Sequence, residues 1–324
     1  MHAERAIQKD YRYYLKWILW ALVAQFALAN ISAAIYAYKF THFFKNPPEW
    51  NVAHPKNVFD KTWMLFKGPS FGKEENEKPP TFPYQNLSLS LSNGSKIDAW
   101  YSAAPNPLGT VCLFHGLTSS KAFYIDEANE FRNYGFNILM LDFRGHGRSA
   151  GMQTTIGYNE AEEVKLAYDY LKSKVESKIY LYGGSMGAVA VARAVAVYHL
   201  NPSGIILDMP FDGLLDHLKA RGRSFGFPQS LFAIPVACWM SLESSIPVFS
   251  HKTSTYAKDI HCPVLLEWGT ADHLVTQKET EDIFNALASK NKRLVVYDHG
   301  VHSSMLRQDP YKWKEAMHSF LFAQ

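Results

Sequence analysis

The amino-acid sequence predicts an α/β architecture: a mostly parallel sheet with helices on both faces and a short helical cap, preceded by a transmembrane helix. Three observations predict it. From residue 110 onward, short β-rich apolar runs alternate with helical stretches, the pattern of parallel strands joined by crossover helices. One of those runs leads through a glycine-flanked serine directly into an apolar helix. Near the start of the chain, residues 17–38 form 22 positions without a charge.

Composition allows a substantial core, with 47% of the 324 residues hydrophobic and 19% charged. The net charge of +3 comes with no long basic run and no interleaved aromatic motif, which argues against a nucleic-acid partner. Cys112, Cys238 and Cys262 lack CxxC spacing, so they make neither a disulfide framework nor a zinc site and read as buried free thiols.

At helical rise the uncharged segment spans about 33 Å, enough to cross a hydrocarbon core of about 30 Å. Tyr11, Tyr13, Tyr14, Trp17 and Trp20 precede or open it, and Tyr36, Tyr38, Phe40, Phe43 and Phe44 close it, as two interfacial aromatic belts would. Residues 1–16 are then an N-terminal tail and 17–38 a signal anchor. Gln25, Asn30 and Ser32 dilute the apolar character, so a signal peptide cleaved after Ala27-Leu28-Ala29, releasing a secreted protein, is the alternative, and a buried core helix a further one. Retention is favoured because the apolar stretch continues through Ile31 and Ile35, beyond the roughly 7 to 15 residues of a cleaved signal. Arg5, Lys9, Arg12 and Lys16 outnumber Lys39, Lys45 and Lys56, a small bias that puts the C-terminal domain on the non-cytoplasmic side of a single-pass protein.

Residues 39–83 contain Asn46-Pro47-Pro48, His54-Pro55, Pro79-Pro80 and a charged stretch at 73–78, and read as a juxtamembrane linker. Residues 84–324 form the folded domain. Leu87, Leu89 and Leu91 alternate with serines ahead of Asn93-Gly94, a hairpin signal. Further strands are expected at 111–114, 136–141, 179–182, 205–207, 264–268 and 294–297. A helix over 159–171 places Val164, Ala167, Tyr168 and Leu171 on one face, with Glu160, Glu162, Glu163 and Lys165 largely elsewhere. The segment 186–197 is apolar almost all round and should be a buried helix.

The chemistry lies between those last elements. Gly183-Gly184-Ser185-Met186-Gly187 follows the run 179–182 and opens the 186–197 helix, giving the order strand, G-x-S-x-G, helix. The pattern alone is weakly specific; the strand and helix around it make it specific. A serine nucleophile on so sharp a turn needs glycine on both sides, because the backbone is strained and neighbouring side chains would collide. The turn aims the Met186 N–H and the helix N-terminus at an oxyanion developing on a carbonyl attacked by Ser185. A second donor is expected from the turn Phe114-His115-Gly116-Leu117, with the Leu117 N–H as candidate.

His115-Gly116, Asp142-Phe143-Arg144-Gly145-His146-Gly147-Arg148-Ser149 and the segment around Ser185 resemble the α/β-hydrolase superfamily. The nearest likeness is to its compact serine-hydrolase branches, the Bem46-like, monoacylglycerol-lipase-like and serine aminopeptidase-like groups. The resemblance covers about residues 85–324 and does not reach the first 80. It implies an acid after a later strand, where Gly269-Thr270-Ala271-Asp272 matches the G-x-x-D ending, and a histidine after the last strand, His302. Similar sequences often carry glycine before that histidine; Val301 stands here, and nearby His299 remains the alternative base. Two other readings compete. Asp272 could cap a helix beginning near Gln277, though a cap would lie closer. Asp298, His299 and His302 could suggest a metal site, but no further ligand pair has matching spacing. His146 reads as structural, with Arg144 and Asp142 bonding backbone groups. The resemblance thus implies a serine hydrolase that needs no metal or organic cofactor.

Specificity should lie within 211–260, where a helix and a short cap are expected. Phe225, Phe227, Leu231, Phe232, Ile234, Val236, Trp239 and Met240 would either wall an acyl-chain pocket or pack as core. His217, Lys219, Arg221 and Arg223 form a basic cluster that reads as a solvated face rather than an anion site. The expected substrate is a small-molecule carboxylic ester or acyl lipid. A serine peptidase or thioesterase on the same fold is the alternative. A non-catalytic binding protein is the alternative of another class, and it would have no physical need for Ser185, Asp272 and His302 together.

Overall fold

The computed structural model describes residues 2–45, 59–60, 63, 67–73, 78–174, 178–224 and 226–322, with 2–10 as backbone only. The helix α1 (His2–Thr41) is followed by β1 (Phe43–Phe44) and β2 (Phe71–Gly72), which pair in parallel as a small separate ribbon. The main sheet contains β3 (Gln85–Ser90), β4 (Lys96–Ser102), β5 (Thr110–Phe114), β6 (Asn137–Leu141), β7 (Ile179–Gly184), β8 (Gly204–Asp208), β9 (Val264–Gly269) and β10 (Lys292–Tyr297). Its order is β10-β9-β8-β7-β5-β6-β4-β3. The expected hairpin is β3–β4; it and the β4–β6 pair are antiparallel, and the other pairs are parallel.

Every residue of β5, β6, β7, β8 and β9 is buried, because helices cover both faces. The helices that follow the hairpin are α2 (Ile125–Asn133), α3 (Ala161–Ser173), α4 (Met186–Val197), α5 (Leu214–Ser224), α6 (Gln229–Ser244), α7 (Thr253–Ala257), α8 (Gln277–Ala286), α9 (Met305–Gln308) and α10 (Pro310–Phe322), of which α5 and α6 form the cap. Alternating strand residues divide between two cores. Cys112, Phe114, Leu181 and Leu207 pack with α3 and α4, whereas Val111, Leu113, Tyr180, Tyr182 and Ile206 pack with α2 and α10. All of α4 except Arg193 and Val197 is buried, as its apolar sequence requires.

The acidic residues of α3 depart from the expected pattern. Glu163 is buried, not outward-facing, and accepts from Arg144 Nε at 2.6 Å. Glu160 is buried too, accepting from the Thr155 and Gly157 N–H groups at 2.8 and 2.9 Å. Apolar periodicity does not register a carboxylate buried because it is fully paired. Cys112 and Cys262 are buried free thiols as expected, but Cys238 is exposed on the outer face of α6.

The stretch Tyr11–Thr41 of α1 is long and apolar enough to cross a membrane, and most of it stands clear of the rest of the protein. Its end does not. Ala33, Tyr36, Ala37, Phe40 and Thr41 form a buried stripe at helical spacing that packs on α6, with the Tyr36 ring edge-on to Phe232 at 4.9 Å. The uncharged stretch that stands free of the fold therefore ends near residue 32, short of the expected end at 38. The described ends of the expected linker are also docked: Phe43 donates to Met152 O at 2.7 Å, and its ring packs on His146 at 4.4 Å. Lys73 Nζ reaches the Ser149 and Gly151 carbonyls at 2.5 and 3.0 Å. Residues 46–58, 61–62, 64–66 and 74–77 of that segment lie outside the described residues.

Candidate active site

Ser185 is the one residue between β7 and α4, at φ 51° and ψ −116°, a backbone region that L-residues rarely occupy. The strain sits at the serine; the flanking glycines answer a different need, close approach. A Cβ on Gly187 would lie 2.2 Å from the Phe114 carbonyl oxygen, and one on Gly183 would lie 2.5 Å from the Gly187 carbonyl oxygen. At Gly184 a Cβ would meet the Tyr124 hydroxyl at 1.6 Å. The Ser185 N–H is held by Asp208 O at 2.8 Å, which locks the turn to the neighbouring strand.

The fold brings the three sequence-predicted side chains together. His302 Nε2 lies 2.9 Å from Ser185 Oγ, and His302 Nδ1 lies 2.7 Å from Asp272 Oδ2. The other Asp272 oxygen accepts from the Leu274 and Val275 N–H groups at 2.7 and 2.9 Å, so the carboxylate is fixed at both ends. Asp272 does not cap α8: Thr276 does, in a reciprocal capping box with Glu279. His299 is exposed at φ 58°, with its backbone N–H on Thr270 Oγ1 at 2.8 Å, and does not line the cavity that holds Ser185 and His302. Val301, at the position where the resemblance implies glycine, is 45% exposed. Gln308 was not singled out by the sequence, yet it clamps the histidine loop: its side chain accepts from Val301 N–H at 2.7 Å and donates to the Val301 and Ser303 carbonyls, both at 3.1 Å.

Met186 is the first residue of α4, so its N–H has no intrahelical acceptor. The orientation of the Leu117 peptide is set by His115. Phe143 N–H donates to His115 Nε2 at 3.1 Å, so the ring carries its proton on Nδ1 and donates to Gly116 O at 2.8 Å. Burial pushes this imidazole down to about 3, which keeps it neutral. Because the C=O and N–H of one peptide point in opposite directions, holding Gly116 O toward His115 turns the Leu117 N–H away from it. Leu117, Met186, Ser185 and His302 line one cavity of about 250 Å³.

The Asp142–Ser149 turn supports this loop from behind. Asp142 accepts from Lys121 N and Nζ and from Arg148 N at 2.7, 2.6 and 2.9 Å. Burial raises its carboxyl, but the Lys121 charge, the neighbouring His115 and the Lys121 hydrogen bonds together hold it below the usual range. Arg144 pairs with Glu162 and Glu163, not with backbone carbonyls. His146 is buried with Nδ1 on Arg144 O at 2.9 Å and packs against His115, a structural position.

Behind the Ser185 turn lies a buried acidic cluster that periodicity cannot reveal. Asp208 and Glu267 are paired across β8 and β9; Tyr182 donates to Asp208 at 3.0 Å and Tyr297 donates to Glu267. Ser304 donates to Glu127. Burial pushes Glu127 up to about 7 and Glu267 up to about 8, and burial with the adjacent Glu267 pushes Asp208 well above the carboxylate range.

The cap departs from expectation in two ways. Phe227, Leu231, Phe232 and Val236 line a separate apolar cavity against α1, while the Ser185 cavity is walled by residues such as Phe123, Ile156, Met209, Phe211 and Leu274. Phe225 lies outside the described residues. The basic cluster divides by helical face. Lys219 pairs with Asp216 at 2.9 Å and Arg223 reaches Gln229 at 3.3 Å, whereas His217 and Arg221 turn inward and line the Ser185 cavity.

Comparison with known proteins agrees with this architecture. Residues 105–219 and 248–309 match the family model described as serine aminopeptidase, S33. The uncharacterized protein YqkD of Bacillus subtilis is 24% identical over 233 residues, covering 70% of this chain and 76% of that protein. An uncharacterized membrane protein of Saccharomyces cerevisiae, YNL320W, is 24% identical, covering 71% of this chain and 77% of its own length. Among solved structures, the Pyrococcus furiosus esterase Pf2001 superposes with a TM-score of 0.66 at 25% identity, over 78% of this chain and 96% of the esterase. The Exiguobacterium antarcticum esterase EaEST shares the fold at a TM-score of 0.56 and 18% identity, over 73% of this chain and 99% of that one. With its sheet order, its strand–serine–helix turn and a family match across most of residues 105–309, the chain belongs to the serine aminopeptidase-like family of the α/β-hydrolase superfamily and is a hydrolase.

Proposed function

We propose that this protein is a membrane-anchored serine esterase that cleaves carboxylic esters or acyl lipids, with Ser185 as nucleophile, His302 as base and Asp272 as its orienting acid. The observation that carries the reading is the continuous hydrogen-bonded line from Ser185 Oγ through His302 to Asp272, which opens on a cavity. His302 Nε2 takes the Ser185 proton as Oγ attacks the ester carbonyl, and Asp272 holds the proton on Nδ1 and stabilises the imidazolium. The Met186 and Leu117 N–H groups receive the tetrahedral oxyanion. The imidazolium then protonates the departing alkoxide, leaving an acyl-serine. Water attacks this ester while His302 takes its proton, and the acid departs as Ser185 is reprotonated.

Anchoring is supported by the 22 residues 11–32 of α1 before the buried stripe, which span about 33 Å at helical rise. Further support comes from α6, the partner of α1, whose outward face carries Leu231 (78% exposed), Ile234 (46%) and Leu242 (74%) at helical spacing. In this reading residues 84–324 form the catalytic domain, its cap rests at the bilayer surface, and it lies on the non-cytoplasmic side. Retention of the intact chain after alkaline carbonate extraction is expected; a soluble chain lacking its first 29 or so residues would instead show a cleaved signal.

The name of the matched family favours a second reading, a peptidase using the same three residues. Turnover of the purified full chain across acyl esters of graded length and across aminoacyl amides separates the two. Esters should be cleaved faster. Efficient amide cleavage with untouched esters would replace the esterase reading by the peptidase one.

A further inference from the structure

Among the described residues, the inward face of α5 holds a cation with no counter-ion. His217 and Arg221, one helical turn apart, line the same cavity as Ser185 and His302. Among the described residues the Arg221 side chain makes no ion pair or hydrogen bond, and its Nε is shielded from solvent. Both ring nitrogens of His217 are likewise shielded and unpartnered, with the residue 3% exposed. The surroundings of Arg221 are aromatic: its guanidinium carbon lies 5.6 Å from the Phe40 ring centre, and Tyr36 of α1 is the other titratable neighbour besides His217. The nearest acid on its own helix, Asp216, is engaged by Lys219. Buried charges in folded proteins are ordinarily paired, because an unpaired one forfeits its hydration without return. A guanidinium left open on one side toward a catalytic cavity therefore waits for an anion that arrives with a ligand.

We infer that Arg221 and His217 form an anion subsite for a phosphate group, so that the preferred substrate is an acyl ester bearing a phosphate. The guanidinium fork matches two phosphate oxygens, and the imidazole adds one N–H donor from the same helix face. Burial keeps His217 neutral, so the subsite's positive charge is that of Arg221 alone. This inference rests on reading the cavity as an ester-hydrolase site, but the subsite can be tested without turnover.

The test uses the full chain carrying Ser185→Ala, in nonionic detergent, titrated with two uncleavable ethers, 1-O-dodecylglycerol 3-phosphate and 1-O-dodecylglycerol, and with inorganic phosphate. The phosphate ether should bind about tenfold or more tighter than the neutral ether, the value of one charge-assisted bidentate contact. Arg221→Met should abolish that preference and Arg221→Lys should retain part of it. A second readout covers variants that fold poorly: the phosphate ether should raise the Tm of the parent and of Arg221→Lys more than the neutral ether does. Weak binding of inorganic phosphate identifies a lipid-borne phosphate as the ligand; equal binding identifies free phosphate and still supports the subsite. Equal affinity for the two ethers in the parent, or a preference that survives Arg221→Met, overturns the inference. Failure of the wild-type chain to cleave the corresponding esters while the phosphate preference stands would remove the esterase reading and leave the subsite.

Discussion

Gly187→Ala is the perturbation whose consequence the geometry defines most sharply. The added methyl would lie 2.2 Å from the Phe114 carbonyl oxygen and 2.7 Å from that of His115, both rigid backbone atoms. Carbon–oxygen contacts are ordinarily about 3.3 Å or longer, so the start of α4 and the end of β5 must separate by about 1 Å. Those two elements carry the two proposed oxyanion donors, at Met186 and just beyond Phe114, and the shift pulls them apart. Misplacement of about 1 Å around reacting atoms costs about 10²-fold in rate. Overpacking of this kind adds ~1–3 kcal/mol of destabilisation, and each kcal/mol lowers the Tm by about 2–4 °C in a domain of this size. Hydrolysis of a short p-nitrophenyl ester, read beside a thermal melt, measures both. Gly94→Ala is the control. Gly94 differs in having positive φ, but no atom lies within 4 Å of the added Cβ, so only about 1 kcal/mol of backbone strain and no rate loss are expected. A Gly187→Ala protein that hydrolyses within threefold of wild type at unchanged Tm would refute the close-approach argument.

Two further outcomes are expected. His302→Ala should lower ester turnover by about 10³-fold or more, whereas His299→Ala, at an exposed residue outside the Ser185 cavity lining, should change it by less than about threefold; comparable losses would undo the assignment of the base. Glu127 and Glu267 bind protons in the folded state up to about 7 and about 8, whereas in the unfolded chain they release them near 4.5. Their contribution to stability is thus fully present below about pH 4.5 and is lost as the pH rises through 7 and 8. Glu267→Gln, which keeps an acceptor for the Tyr297 hydroxyl, should flatten the fall of Tm between pH 6 and 8.5, and an unchanged slope would contradict a protonated Glu267.

Much of this was legible in the residues because it depended on short-range pattern. The buried strands and the all-round apolar α4 were readable from runs and periods, and Ser185 from its place between them. What escaped was whatever depends on which elements meet. The stripe Ala33, Tyr36, Ala37 and Phe40 looks like the end of a membrane segment because apolar side chains do not reveal whether lipid or α6 covers them. Four basic residues on one helix looked alike, but their two faces meet solvent and cavity respectively, which depends on how α5 sits on the sheet. Glu163 and the Asp208–Glu267 pair are buried through partners 19 or more residues away in the chain, a distance no local period spans. Gln308 clamps the His302 loop through backbone atoms, for which there is no sequence signal.

The central claim is that Ser185 is an activated nucleophile. Its most direct test is to react the full chain with a fluorophosphonate and locate the adduct by peptide mass spectrometry. The account predicts a single modified residue, Ser185, with labelling abolished in Ser185→Ala and strongly slowed in His302→Ala. An adduct on another residue, or equal labelling of wild type and Ser185→Ala, would contradict it.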